Sequence, residues 1–130
     1  MSASDTNLGK TLDQQRASHA WKTVSQAKNQ MYEKFVGQAK KLPVRVMASG
    51  LGQAMAFLKA KNDAPGLVAA LSDWVASRLP PRPGEPRDLL DRIIHGNSDF
   101  LRRATDEVLA YLQWLNRFAE AEGLTEGGNE

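Results

Sequence analysis

Apolar residues recur three and four positions apart through most of this chain, and no segment shows the period-two alternation of a half-buried strand. Ala17, Ala20, Trp21, Val24, Ala27, Met31 and Phe35 keep the rhythm in the first third, and Leu101, Ala104, Val108, Tyr111, Leu112, Leu115, Phe118 and Ala119 keep it near the end. A backbone with about 3.6 residues per turn puts each set on one face, so both segments read as amphipathic helices with a core to cover. The fold class is all-α.

Punctuation divides the rest. Thr11 followed by Gln14 has the form of a capping box, which starts a first helix at about Leu12. Gly37 is expected to bend or break it before Lys40 and Lys41. Pro43, with φ preset and no amide proton, suits the first turn of a second piece and pushes Leu42 out of the helical region. Gly50 is placed to end that piece in a left-handed conformation. Gly52 then falls in the first turn of a third, whose stripe is Leu51, Ala54, Met55 and Leu58 and which ends near Asn62. Asp63-Ala64-Pro65-Gly66 starts a fourth, with Leu67, Val68, Leu71, Trp74 and Val75 inward and an end near Leu79. The run from Pro80 to Pro86 carries four prolines and reads as a stiff, extended connector. A short fifth helix from about Arg87 to His95 buries Leu89, Leu90, Ile93 and Ile94. Gly96 stops it, Asn97 or Ser98 caps the sixth, and Gly123 ends that one. The expected architecture is a single compact bundle of about six helices, with the Pro-rich connector between the fourth and fifth. Residues 11–123 form the domain, after a flexible leader over 1–10 and before a disordered tail over 124–130.

Chemistry is hard to place on this frame. At 130 residues the chain can bury one core, and it has no Cys, which excludes disulfides, thiolate nucleophiles and Cys-based zinc sites. His19 projects opposite the apolar stripe of its helix and His95 immediately precedes Gly96, so each reads as solvated or capping, without a second His at ligand spacing. Asp88 and Asp91 each have an Arg four residues away, Arg92 and Arg87, and read as surface ion pairs. Ser49-Gly50 follows no strand, so it is not a nucleophile elbow. Gly50-Leu51-Gly52 reads as a helix junction rather than a phosphate loop. No catalytic constellation, cofactor site or metal site emerges. Met1 to Lys10 has no apolar core to act as a signal or anchor, and no apolar run approaches the roughly 20 residues that span a bilayer. A cytoplasmic protein with no membrane association is the expectation.

The charges say more. Ten Lys or Arg stand against three acids from Met1 to Lys61, a net +7, whereas seven stand against twelve from Asn62 to Glu130, a net −5. Such asymmetry points to a polyanion partner, to self-association of unlike faces, or to both. An acid three or four positions along a helix offsets a cation by about 0.2–0.5 kcal/mol. In the second half only Arg78 lacks one. In the first half Lys22, Lys28, Lys34, Lys40, Lys41, Arg45 and Lys61 all lack one, and the densest group is Lys40, Lys41, Arg45 and Lys61. Lys28 falls inside the apolar sector of its helix, between Val24 and Phe35, where an ammonium must snorkel, pair or face a partner. Trp114 lies off the main stripe of the last helix, beside Arg103 and Arg117. It either stacks on a base or a neighbour, or is buried because this helix is covered on two sides; the second is favoured.

The chain resembles the small subunit of the Cmr complex, the type III-B CRISPR RNA-guided effector. The residues that carry the resemblance are Leu12-Asp13-Gln14 with Arg16-Ala17, Lys40-Lys41-Leu42-Pro43, and Gly50-Leu51-Gly52-Gln53 through Ala56-Phe57-Leu58. Ala104-Thr105 with Glu107, Leu112, Trp114-Leu115 and Arg117-Phe118-Ala119 extend it to about Ala119. Arg45 stands where the pattern has an apolar residue and Ser49 where Asn is usual, which adds a cation and alters the capping at that corner. The resemblance implies an all-helical, non-catalytic subunit. It would stack in several copies along guide RNA and target RNA, contact other Cmr subunits and copies of itself head to tail, and serve antiviral defence.

Two functions remain from this sequence. One is RNA binding through backbone phosphates by Lys40, Lys41, Arg45 and Lys61, with Lys22, Lys28 and Lys34 as weaker candidates; base pairing with the guide would read the sequence. The other is a protein-only helical adaptor whose basic face docks an acidic partner subunit.

Overall fold

The computed structural model describes residues 9–28 and 31–123, and six helices account for most of them. They are α1 (Leu12–Ala27), α2 (Tyr32–Ser49), α3 (Leu51–Lys61), α4 (Pro65–Arg78), α5 (Leu89–His95) and α6 (Ser98–Ala121). No strand occurs among the described residues. The leader expected over 1–10, apart from Gly9 and Lys10, and the tail over 124–130 lie outside them.

Local chemistry sets most boundaries. The Thr11 hydroxyl accepts from the Gln14 amide at 3.1 Å and the Gln14 side chain accepts from the Thr11 amide at 2.8 Å, a reciprocal capping box. Pro65 occupies the first turn of α4, and Asp88 and Asn97 cap α5 and α6 through their side chains. Leu79 closes α4, and the Pro-rich connector follows between the fourth and fifth helices.

The count of six is as expected, but its partition differs. The first helix does not run to Gly37: it stops at Ala27, and the chain re-enters helix after Met31, whose φ of 40° is left-handed. α2 then passes without interruption through Gly37 and Pro43. Apolar periodicity continues across the break because Ala20 and Val24 of α1 and Phe35 of α2 face the same core, although Trp21 and Met31 of the expected stripe are exposed. Gly37 sits on the outer side of α2, where an added Cβ would meet nothing within 4 Å, so the helix has no reason to end there. Pro43 is interior rather than first-turn. Gly50 does close α2 at positive φ, but with φ 88° and ψ 159° it is extended rather than left-handed helical, which lets α3 begin at the next residue.

The core sits around α6. Ala104, Val108, Tyr111, Leu112 and Leu115 of α6 are fully enclosed, and α1 lies along it through Ala20 and Val24. Phe35, Ala39, Leu42 and Val46 of α2, Leu51, Met55 and Leu58 of α3, and Leu67, Leu71, Trp74 and Val75 of α4 complete it. Each enclosed leucine contributes about 1.5–3 kcal/mol. The short α5 buries only Leu89 completely. Ile94, expected inside, is 63% exposed, because a seven-residue helix has one inward face and Leu89 and Ile93 occupy it. α5 is held by the Leu89 amide donating to Ser72 Oγ at 2.9 Å and by close packing on α3, where a Cβ at Gly52 would lie 3.4 Å from Ile93. No helix among the described residues is long and apolar enough to cross a membrane.

Candidate nucleic-acid interface

The two helices joined at Gly50 fold back side by side, and two cross-contacts fix their register. The Arg45 guanidinium lies over the Phe57 ring, 4.1 Å from its centroid, and Gln38 Nε2 donates to Asp63 Oδ1 at 3.2 Å. Moving back along α2 from Arg45 to Gln38 is thus matched by moving forward along α3 from Phe57 to Asp63. Lys41 falls midway on one helix and Lys61 stands near the same level on the other. Lys34 is two turns before Lys41 on the same face of α2. A strip therefore runs along the α2–α3 seam with Lys41, Arg45 and Lys61, Phe57 being its exposed aromatic, and Lys34 continues it along α2 beyond the end of α3.

Within the strip, roles differ. Arg45 Nη1 donates to Gln38 Oε1 at 2.6 Å while the guanidinium covers Phe57, so this cation is pinned into the corner. Gln38, almost fully buried, links Arg45 to Asp63, the acid of this seam. Lys34, Lys41 and Lys61 make no ion pair among the described residues and point into solvent.

The other candidates lie elsewhere. Lys40 is about 100° around α2 from Lys41, one turn from Val44 and two from Met47, which are 71% and 75% exposed. The structure therefore separates Lys40 from Lys41, Arg45 and Lys61. Lys28 finds a partner out of sequence reach, donating to Glu122 Oε1 at 2.6 Å. Lys22 lines an open cleft of about 920 Å³ together with His19, Lys59, Asp73 and Arg87.

A family model described as CRISPR-associated protein (Cas_Cmr5) matches residues 12–122. The chain belongs to the Cmr5 family. The crystal structure of a CRISPR-associated Cmr5 family protein from Thermus thermophilus is 32% identical to it, covering 86% of this chain and 96% of that one, with a TM-score of 0.69. The family match and the fold thus agree over nearly the whole described chain.

The sequence missed one polar centre of this Cmr5 family member. His19 is not a solvated histidine: its Nε2 lies 2.7 Å from Asp73 Oδ2 and its Nδ1 2.7 Å from the Tyr111 hydroxyl, itself 2.7 Å from Thr23 Oγ1. The neutral tautomer with hydrogen on Nε2 satisfies the chain throughout, with Thr23 donating to Tyr111, Tyr111 to His19 and His19 to Asp73. Both ring nitrogens are occupied and Tyr111 is fully enclosed, and the network ties α1, α4 and α6 together. Asp73, also bonded by Arg87 at 2.6 Å, is held below the usual carboxylate range, chiefly by His19 and then by Arg87, against desolvation. Burial pushes the Tyr111 hydroxyl far above its ordinary value. Asp73 and Tyr111 lie 54 and 92 positions from His19, so no local spacing signals either partner.

Other pairings also differ from sequence expectation. Asp88 pairs with Lys59 and Arg87 with Asp73, while Arg92 stacks on Phe100 at 4.5 Å, so the expected Asp88–Arg92 and Asp91–Arg87 pairs give way to tertiary partners. Arg78, the cation without a local acid, reaches Glu107 at 3.9 Å. Trp114 is half-buried, donates to Asp13 Oδ1 at 2.9 Å and stacks on Phe118, in keeping with a helix covered on two sides. Among the described residues no group of three or more His, Asp or Glu is placed to hold a metal ion.

Proposed function

We propose that this Cmr5 family chain is a non-catalytic structural subunit of a type III-B CRISPR effector in the cytoplasm, stacking in several copies along guide and target RNA. The α2–α3 seam holds the strand, with Lys34, Lys41 and Lys61 meeting phosphates and Arg45 and Phe57 shaping the surface between them. The observation that carries this reading is the strip itself: three lysines without counter-ions along one face of α2 and the α3 beside it, in a chain whose first 61 residues carry a net +7. Mobile ammonium groups suit contacts that read charge rather than sequence, leaving sequence to base pairing. Repetition along the strand multiplies individually weak contacts. A basic first half and an acidic second half suit head-to-tail contacts, which propagate instead of closing. In a reconstituted effector, neutralising Lys34, Lys41 and Lys61 together should weaken retention of target RNA without loss of assembly; unchanged retention would refute the role of the seam.

One observation favours the protein-docking alternative for part of the surface. Lys40 stands with exposed Val44 and Met47, a mixed apolar and basic face better suited to an acidic protein partner than to phosphates. We therefore assign Lys40 to subunit contact. Lys22 and Lys28 stand apart from the seam, Lys28 being held by Glu122.

A further inference from the structure

The acidic half of the chain contains a basic cleft of about 690 Å³ between the Pro-rich connector, the end of α4 and the junction of α5 with α6. Its charged walls are Arg78, Arg82, Arg92 and Arg103, against Glu85 and Asp99. Two of the four guanidiniums are already engaged: Arg103 with Asp99 at 3.1 Å and Arg78 with Glu107 at 3.9 Å. The other two have no carboxylate partner among the described residues. Arg92 stacks over Phe100, and its Nη1 is enclosed without any hydrogen-bond partner, so this half-buried guanidinium has no counter-ion. Burial lowers the affinity of that guanidinium for its proton, with Glu85 the only acid acting against this and Arg87 adding to it. Arg82 is presented by a turn that locks itself, its amide donating to Glu85 Oε1 at 2.7 Å and the Glu85 amide returning to its carbonyl at 2.9 Å, with Gly84 at φ 89°.

We propose that this cleft is a phosphate-binding site, with Arg82 and Arg92 as its principal ligands. A phosphate offers three acceptor oxygens in different directions, which matches guanidiniums arriving from the connector and from α5 better than a single planar carboxylate does. The turn fixes the backbone that carries Arg82 and the aromatic stack fixes the Arg92 guanidinium, which lowers the ordering needed on binding. The group comes either from the backbone of a nucleic-acid strand or from a free nucleotide. The site is separate from the α2–α3 seam and does not depend on the role given to it.

The test is an amide chemical-shift titration of the full chain with inorganic phosphate at fixed ionic strength, with chloride as the control. Saturable shifts confined to residues 82–100 are expected, weakened about tenfold by Arg82→Gln, the loss that follows from removing one charge-assisted contact. Arg92→Lys keeps the charge but not the fork and should weaken binding several-fold. A Lys41→Ala/Lys61→Ala protein should respond to phosphate as the natural one does, which separates this site from the seam. Titration with adenosine 5′-monophosphate and with a short single-stranded oligoribonucleotide then assigns the source: a gain confined to the oligomer points to a strand, and a gain already complete with the mononucleotide points to a free nucleotide. Absence of saturable shifts at these residues, or an Arg82→Gln protein that binds phosphate unchanged, overturns the proposal.

Discussion

Asn116 on α6 donates through Nδ2 to the carbonyl of Ala39 on α2 at 3.0 Å, and that carbonyl is the one Pro43 leaves without an intrahelical donor. A proline inside a helix removes the bond to the residue four positions back, and a buried carbonyl left unpaired costs about 1–3 kcal/mol. A side chain 77 positions away makes good the loss. Asn116→Ala should therefore destabilise the protein by about 1–2 kcal/mol in urea unfolding. In a Pro43→Ala background, where the amide returns, the same change should cost much less. Equal costs in both backgrounds would show that Asn116 acts through something other than this carbonyl.

That pair also explains what the sequence could and could not convey. The six-helix count, the caps at Thr11 and Asn97, the Pro65 start and the inward stripes of α3, α4 and α6, apart from Leu101 at 38% exposed, rest on neighbours within four residues and are legible. From sequence alone Pro43 reads as a helix start, because its compensation lies on another helix. His19 reads as solvated for the same reason, and which partner Lys28 pairs with is equally hidden: Asp73, Tyr111 and Glu122 are remote in sequence. In the candidate interface, the basic character of the Lys40–Lys61 stretch was legible. Its division between a seam bearing Lys41 and Lys61 and an apolar face bearing Lys40 depends on how α3 folds back over α2.

Glu107 joins three elements from a side chain only 13% exposed. Arg16 Nε and Nη2 grip its two oxygens at 3.1 Å each, Trp74 Nε1 donates at 3.1 Å, and Arg78 stands at 3.9 Å. Glu107→Gln should cost about 1.5–3 kcal/mol, well beyond a surface pair. A double-mutant cycle with Arg16→Gln should return a coupling energy above the roughly 1 kcal/mol ceiling of exposed pairs. A coupling near zero would reduce the contact to surface decoration.

Stability should fall at both ends of the pH scale, for opposite reasons. The folded Asp73 carboxyl is held low, so its contribution is present above the ordinary carboxylate range and is lost as pH falls through its folded value. The Tyr111 hydroxyl is held high, so its contribution is complete below about pH 10 and is lost as pH rises beyond. Tyr111→Phe should lower stability at pH 7 by about 1–3 kcal/mol, since His19 and Thr23 lose their partner. It should also flatten the alkaline decline, leaving the smaller part due to the partly buried Tyr32. Denaturant midpoints measured from about pH 3 to 11 would check both limbs.

Gly37 stands mid-helix in open space, so its flexibility serves no contact. Gly37→Ala should stabilise the protein by about 0.5–1 kcal/mol, visible as a higher urea midpoint with an unchanged slope. Destabilisation would mean that the outer face of α2 needs the glycine.

Contact of the α2–α3 seam with RNA phosphates predicts a measurable salt dependence of single-stranded RNA retention by the isolated chain. Each phosphate contact contributes about 0.7 to the slope of log affinity against log salt. Lys41→Ala/Lys61→Ala should therefore flatten that slope by about 1.4, while Lys28→Ala and Lys40→Ala leave it as in the natural protein. A slope unchanged by losing Lys41 and Lys61, or one flattened equally by losing Lys28 or Lys40, would rule out the seam as the phosphate contact.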